Sequence, residues 1–246
     1  MEQQPNFILD VLSYPFRKGG RNILIVGAIL LILSQFGSIF PAVGLFVTLF
    51  VFAYLCGLYF ELVLLSTDDE GAIYSFPDLN DPLDDILLPT LKVLGVILIS
   101  FAPLFAWLLW GDESAAYADG VTYGLVAWGI FYFPMAMLAT VIVGTSTAGL
   151  PHIVLPSIVR SGPLYLLAAA LVVGIYLLGA SAHQFLSEWP LLTIPITSLL
   201  SMYVLMANAR TLGLLFQRKE KDLNWFYSRE EQTRDDPIKN ESAEQG

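Results

Sequence analysis

Charge is scarce in this chain. Of 246 residues only 14% are Asp, Glu, Lys or Arg, while 56% are hydrophobic and the mean hydropathy is +0.66. Soluble domains carry about 25% charged residues, so the composition argues against one and points to lipid as the solvent. The single cysteine, Cys56, lies in an apolar run. No intrachain disulfide can form, and its ordinary role is that of a small buried hydrophobe. The only two histidines, His152 and His183, have no ligand spacing between them, which disfavours a metal site. No phosphate loop, dinucleotide fingerprint, metalloprotease helix or G-x-S-x-G turn is present. No catalytic, cofactor or metal residue is assigned, no cofactor is expected, and the protein is read as a non-enzyme. A net charge of -10 argues against nucleic acid as a partner.

What the chain does have is long apolar runs. Between Arg21 and Glu61 no charge occurs over about 39 residues, which at 1.5 Å per residue is about two crossings of a 30 Å hydrocarbon core. Gly37, Ser38, Pro41 and Gly44 mark the turn between helices expected at 22-39 and 42-65. Val93 to Gly111 gives a third at 91-110, ending in Trp107 and Trp110, the aromatic type of the lipid boundary. Gly120 to Val159 is again uncharged, but its second part is rich in glycine, hydroxyls and proline, so only 121-143 reads as a span. Pro163 opens a fifth helix at 163-180, and 191-216 gives a sixth.

The expected fold class is therefore an all-α integral membrane protein. It has six transmembrane helices over 22-216, an N-terminal amphipathic, interfacial segment over 1-21, short cytoplasmic helices and a polar tail over 217-246. All twelve basic residues fall on one side of this arrangement. The positive-inside asymmetry places both termini in the cytoplasm of a prokaryotic cell, in its inner membrane. The N-terminal segment repeats Phe7, Ile8, Val11 and Leu12 at helical spacing with Asp10 and Ser13 elsewhere on the wheel, the pattern of a helix lying in the membrane surface. No convincing cleavage site follows the first run, which disfavours a signal peptide.

These residues resemble a bacterial and archaeal integral membrane family, domain of unknown function 4013. The likeness rests on Tyr14, Pro15, Phe16 and Arg17 followed by Gly19, Gly20 and an apolar helix with Gly27. A second part is Phe76 and Pro77 leading into Asp78, Asp81, Asp84 and Asp85 and on to Lys92; a third is Arg210 with Gly213. The chain departs from the pattern at Pro89, where a small residue is expected. The resemblance implies a multi-span architecture and no established activity.

Three places carry candidate chemistry. Glu61, one turn inside the second span, is an ionisable group at costly depth, and Arg210 is a cation at the same level. The two form a candidate intramembrane polar pair, with Lys92 a second cation at that level, read either as a structural ion pair or snorkelled charge or as a polar site or proton relay between the second and sixth helices. Thr145, Ser146, Thr147 and His152 form a candidate polar connector, read either as a broken-helix element of a transporter or as a short interfacial helix over Pro156 to Ser161 closed by Gly162. The acidic stretch Asp68, Asp69, Glu70, Asp78, Asp81, Asp84 and Asp85 lacks the glycine and spacing of a calcium loop, and reads as a solvated connector with Asp81 capping a helix that starts at Pro82.

Polarity within the spans is sparse, with Gln35, Ser100 and Thr140 the main groups near mid-depth. The leading expectation is a scaffold, assembly or membrane-organising component, with the lipid bilayer, other membrane proteins or further copies of itself as partners. The alternative is a permease or channel for an apolar or weakly polar solute.

Overall fold

The computed structural model describes residues 7–17, 19–36, 41–67, 76–77, 81–111, 117–186, 190–223 and 225. All regular structure among them is helical: α1 (Phe7–Ser13), α2 (Gly20–Phe36), α3 (Pro41–Leu65), α4 (Leu88–Ser100), α5 (Ala102–Trp110), α6 (Ala118–Val143), α7 (Pro151–Ser161), α8 (Pro163–Leu186) and α9 (Pro190–Leu223). A tight turn, Tyr14–Phe16, follows α1, and a wide helical turn, Leu83–Leu87, leads into α4. Four helices, α3, α6, α8 and α9, are long and apolar enough to cross a membrane, and α4 with α5 makes a fifth if the bent pair counts as one span. The architecture is that of a multi-pass membrane protein.

Proline and glycine set most boundaries. α3, α7, α8 and α9 all begin on proline, whose missing N–H falls where a helix has no intrahelical acceptor for it. α6 ends at Gly144 and α7 at Gly162, both with positive φ (80° and 57°), a conformation that side chains with a Cβ rarely tolerate.

The expected third helix, 91-110, is corrected. It is two helices bent by 58° between Ser100 and Ala102. Pro103, in the first turn of α5, cannot donate to the carbonyl of Ile99 and crowds it, and the Phe101 ring fills the space above Gly129 on α6. α6 carries Pro134 yet runs unbroken over Ala118–Val143, and the Tyr165 hydroxyl of α8 donates to the nearby carbonyl of Phe131.

α9 is the central post. Its 34 residues reach about 51 Å at 1.5 Å per residue, and α1, α2, α3, α6, α7 and α8 all pack on it. Small residues permit the close approaches: Gly27 of α2 lies against the Met202 side chain, and Gly213 of α9 lies against the Cβ and backbone of Ser66. The core follows this post through Met202, Met206, Leu212 and Leu215, with Leu58 and Leu62 of α3 and Met135 and Leu138 of α6. Outward faces are apolar as well, with Phe46, Leu109, Trp110 and Leu178 each more than two thirds exposed, as expected where lipid is the solvent.

Gly213→Ala places a methyl group against backbone that cannot swing aside and is expected to lower stability by about 1–3 kcal/mol. Gly124→Ala on α6 meets open space and should leave the melting temperature in detergent within about a degree of wild type. Equal melting of the two variants would contradict the packing at Ser66.

Candidate functional site

Two features stand out, an ionic cluster at one end of the bundle and a cavity among the helices.

The cluster forms where α1 folds back on α9. Asp10 is 3% exposed. It turns toward the bundle, while Ile8, Leu9 and Leu12 of the same helix face outward. The sequence pattern sets Asp10 off the apolar stripe of this helix, and a carboxylate surrounded by apolar surface is stable only beside a cation. It finds two: the Arg17 guanidinium pairs with Oδ1, and Arg210 pairs with Oδ2 at 2.8 Å. Arg210 also donates to the carbonyl of Ser66 at the end of α3, at 3.1 Å, and lies over the Tyr14 ring. Ser66 in turn donates to the Tyr14 hydroxyl at 3.3 Å. The Tyr203 hydroxyl donates to the carbonyl of Leu12, Gln217 donates to that of Thr67, and Arg218 stacks over Phe7. One side chain, Arg210, thus ties α1 and α3 to α9.

The candidate pair Glu61 and Arg210 is not brought together. Glu61 makes no ion pair among the described residues; it lies within electrostatic reach of Asp85, a like charge. The backbone of Asp85 packs against Gly57, one turn earlier on α3, so the Glu61 face of that helix looks toward α4. Arg210 sits on the opposite approach, beside Ser66. Nearby, the Lys92 ammonium lies 5.8 Å over the Phe60 ring.

The polar connector does not converge on a site. Thr145 and Thr147 share a hydrogen bond of 3.1 Å between hydroxyls, Ser146 rests against Gly95, and His152 points outward at the start of α7. α7 extends from Pro151 rather than Pro156 and docks beside α9. Trp225 donates to Ser157 at 3.0 Å, and Arg160 donates to the carbonyl of Leu223. Asp68, Asp69, Glu70, Asp78 and the side chain of His183 lie outside the described residues, while Asp81 and Asp84 are exposed. No group of three or more His, Cys, Asp or Glu residues fit for a metal ion occurs among the described residues. Of the mid-depth polar groups, Gln35 donates to Ser198 at 3.2 Å, joining α2 to α9. Ser100 and Thr140 are buried without a hydrogen-bond partner among the described residues.

The cavity was not legible in the sequence. It encloses about 570 Å³, walled by Phe52, Leu55, Cys56 and Tyr59 of α3, Val93 of α4, Phe133 and Met137 of α6, Tyr176, Gly179 and Ala180 of α8, and Thr197, Leu200, Ser201, Val204, Leu205 and Asn208 of α9. It exists because α8 leans on α9 and barely touches α3. Phe52, Tyr176 and Ser201 on its rim are exposed, so it opens sideways. Among the described residues no Asp, Glu, Lys or Arg lines it. A helical-spacing search of α9 would have found the stripe of Thr197, Ser201 and Asn208, but not the missing packing partner. No family model matches the chain, and neither a curated protein nor a solved structure does.

Burial pushes the Asp10 carboxyl up, but the hydrogen bonds and charges of Arg17 and Arg210 outweigh it and hold it below its ordinary value of 3.8. A lowered carboxylate contributes its full stability above the unfolded value and loses it as the pH falls through the folded one. The melting temperature should therefore lose this contribution only below about pH 4, and Asp10→Asn should remove that acid-sensitive part. At neutral pH Asp10→Asn, which strands Arg210, is expected to cost about 3 kcal/mol. Arg17→Ala, at a half-exposed site, should cost under about 1 kcal/mol, and Glu61→Gln should lie within about 0.5 kcal/mol of wild type. A Glu61→Gln loss matching that of Asp10→Asn would restore the original pairing.

Proposed function

We propose that this is a six-span inner-membrane protein, with both termini in the cytoplasm, that holds an apolar or weakly polar molecule inside its helix bundle, as a permease or carrier does. The observation that carries this reading is the cavity. Its volume of about 570 Å³ falls within the range of about 300–1,000 Å³ usual for small-molecule sites, and its walls are apolar with a few convergent polar groups.

The six-span arrangement takes α2 as a span beside the four long helices and the bent pair. At 17 residues α2 is at the short end of the roughly 17–25 that can cross. The ionic cluster supports the orientation: Arg17, Lys92, Arg160, Arg210 and Arg218 all make contacts at the end of the bundle where α1 docks, and basic residues collect on the cytoplasmic face. At that end α1 lies in the membrane surface with Ile8, Leu9, Leu12 and Phe16 toward lipid. The family resemblance adds an architecture to this reading and no activity.

A scaffold role through protein partners, the first expectation from composition, rests on the scarcity of polar groups in the spans. A cavity without charges serves a weakly polar solute without needing more.

Purification from native membranes in mild detergent separates the two. Small-molecule binding predicts a monomer or homo-oligomer that carries a non-protein mass in native mass spectrometry, and Ala180→Trp, which fills the rim, should lose that mass while keeping the melting temperature. Stoichiometric protein partners with no bound small molecule would favour the scaffold instead. A reporter fused at the C-terminus should read as cytoplasmic; a periplasmic signal would overturn the six-span count.

A further inference from the structure

The cavity's chemistry narrows what it takes. Thr197, Ser201 and Asn208 fall on one face of α9, spread over eleven residues or about 16 Å at 1.5 Å per residue, so the space is elongated along the helix. Thr197 turns its hydroxyl back to the carbonyls of Thr193 and Ile194, at 2.6 and 3.2 Å. Asn208 is different. It is 6% exposed, its Oδ1 accepts from the Tyr59 hydroxyl at 3.4 Å, and its amide N–H groups have no acceptor among the described residues. The nitrogen is not among the fully enclosed unpartnered atoms, and Asn208 lines the cavity, so its N–H groups are free to donate to a molecule held there. The group it can bind is an acceptor, and an uncharged wall gives an ionised one no counter-charge.

We infer that the cavity binds a neutral, single-chain lipid whose carbonyl or hydroxyl oxygen accepts from the Asn208 amide while its chain lies along the apolar stripe of α9. This rests on the small-molecule reading above and gives it a substrate class. An ionised fatty acid finds no cation among the lining residues, and a plain hydrocarbon leaves the amide unpaired. The opening between α3 and α8 admits such a molecule from the bilayer, chain first or along its length.

The test uses the full chain in nanodiscs and photolabelling with diazirine analogues of hexadecan-1-ol, hexadecanoate at pH 9 and hexadecane, with the labelled peptides mapped by mass spectrometry. The alcohol is expected to label α3, α8 and α9 peptides of the cavity wall more strongly than either other probe. Asn208→Leu should lower the alcohol labelling roughly fivefold, about one neutral hydrogen bond, and leave hexadecane labelling unchanged. If Asn208→Leu does not fold, Asn208→Ser replaces it, its hydroxyl bonding back to its own helix as Thr211 bonds Ala207, with the same expected loss. Equal labelling by alcohol and hexadecane that neither variant changes would overturn this inference and leave the apolar site standing. Hexadecanoate labelling as strong as that of the alcohol would also overturn it. No labelling of the wall by any probe would bring down the small-molecule reading itself.

Discussion

Asp10 is an aspartate with almost no access to solvent, held between two guanidinium groups, one from the turn after its own helix and one from α9. Taking a carboxylate out of water is affordable only with such partners. From that constraint the rest of this end of the molecule follows. Arg210 must point toward α1, and its remaining donor then reaches the Ser66 carbonyl, which fixes where α3 ends against α9. Gly213 lets the two backbones meet there, and Tyr14 fills the space between the guanidinium and Ser66. The cavity lies along the shared length of α3 and α9.

Much of the helix plan is legible in the sequence because its signals are strong and local. Charge-free runs of the right length, proline at the first helical position and glycine at the last are each caused by backbone chemistry within one or two turns. α3 spans Pro41–Leu65 against the expected 42-65, and α6 spans Ala118–Val143 against 121-143. The bend before α5 was readable in principle, since Pro103 stands in a span, but hydropathy averages over it. Where α9 runs on to Leu223, past the expected 216, the extra turns are polar and hydropathy had ended the helix too early.

The candidate site was less legible, for a different reason. Which cation an acid meets is decided by tertiary approach, and Asp10 and Arg210 are 200 residues apart. An ionisable group at helical depth singled out Glu61 beside Arg210, but the outer face of α1 is apolar, so Asp10 turns inward and it is Asp10 that takes Arg210. The cavity is further still from sequence, since it is left where α8 packs on α9 and makes little contact with α3.

The separation between Asp10 and Arg210 also orders the protein's assembly in time. α1 is made well before α9, which carries the partner that neutralises its buried acid. At about 5–20 residues per second, roughly 10–40 s pass between them. Over that interval α1 has only Arg17, and its acid cannot take up the buried position it holds in the finished protein. Closure of the Asp10–Arg210 pair therefore waits for α9, and until then α1 lacks the contacts that hold it on the bundle.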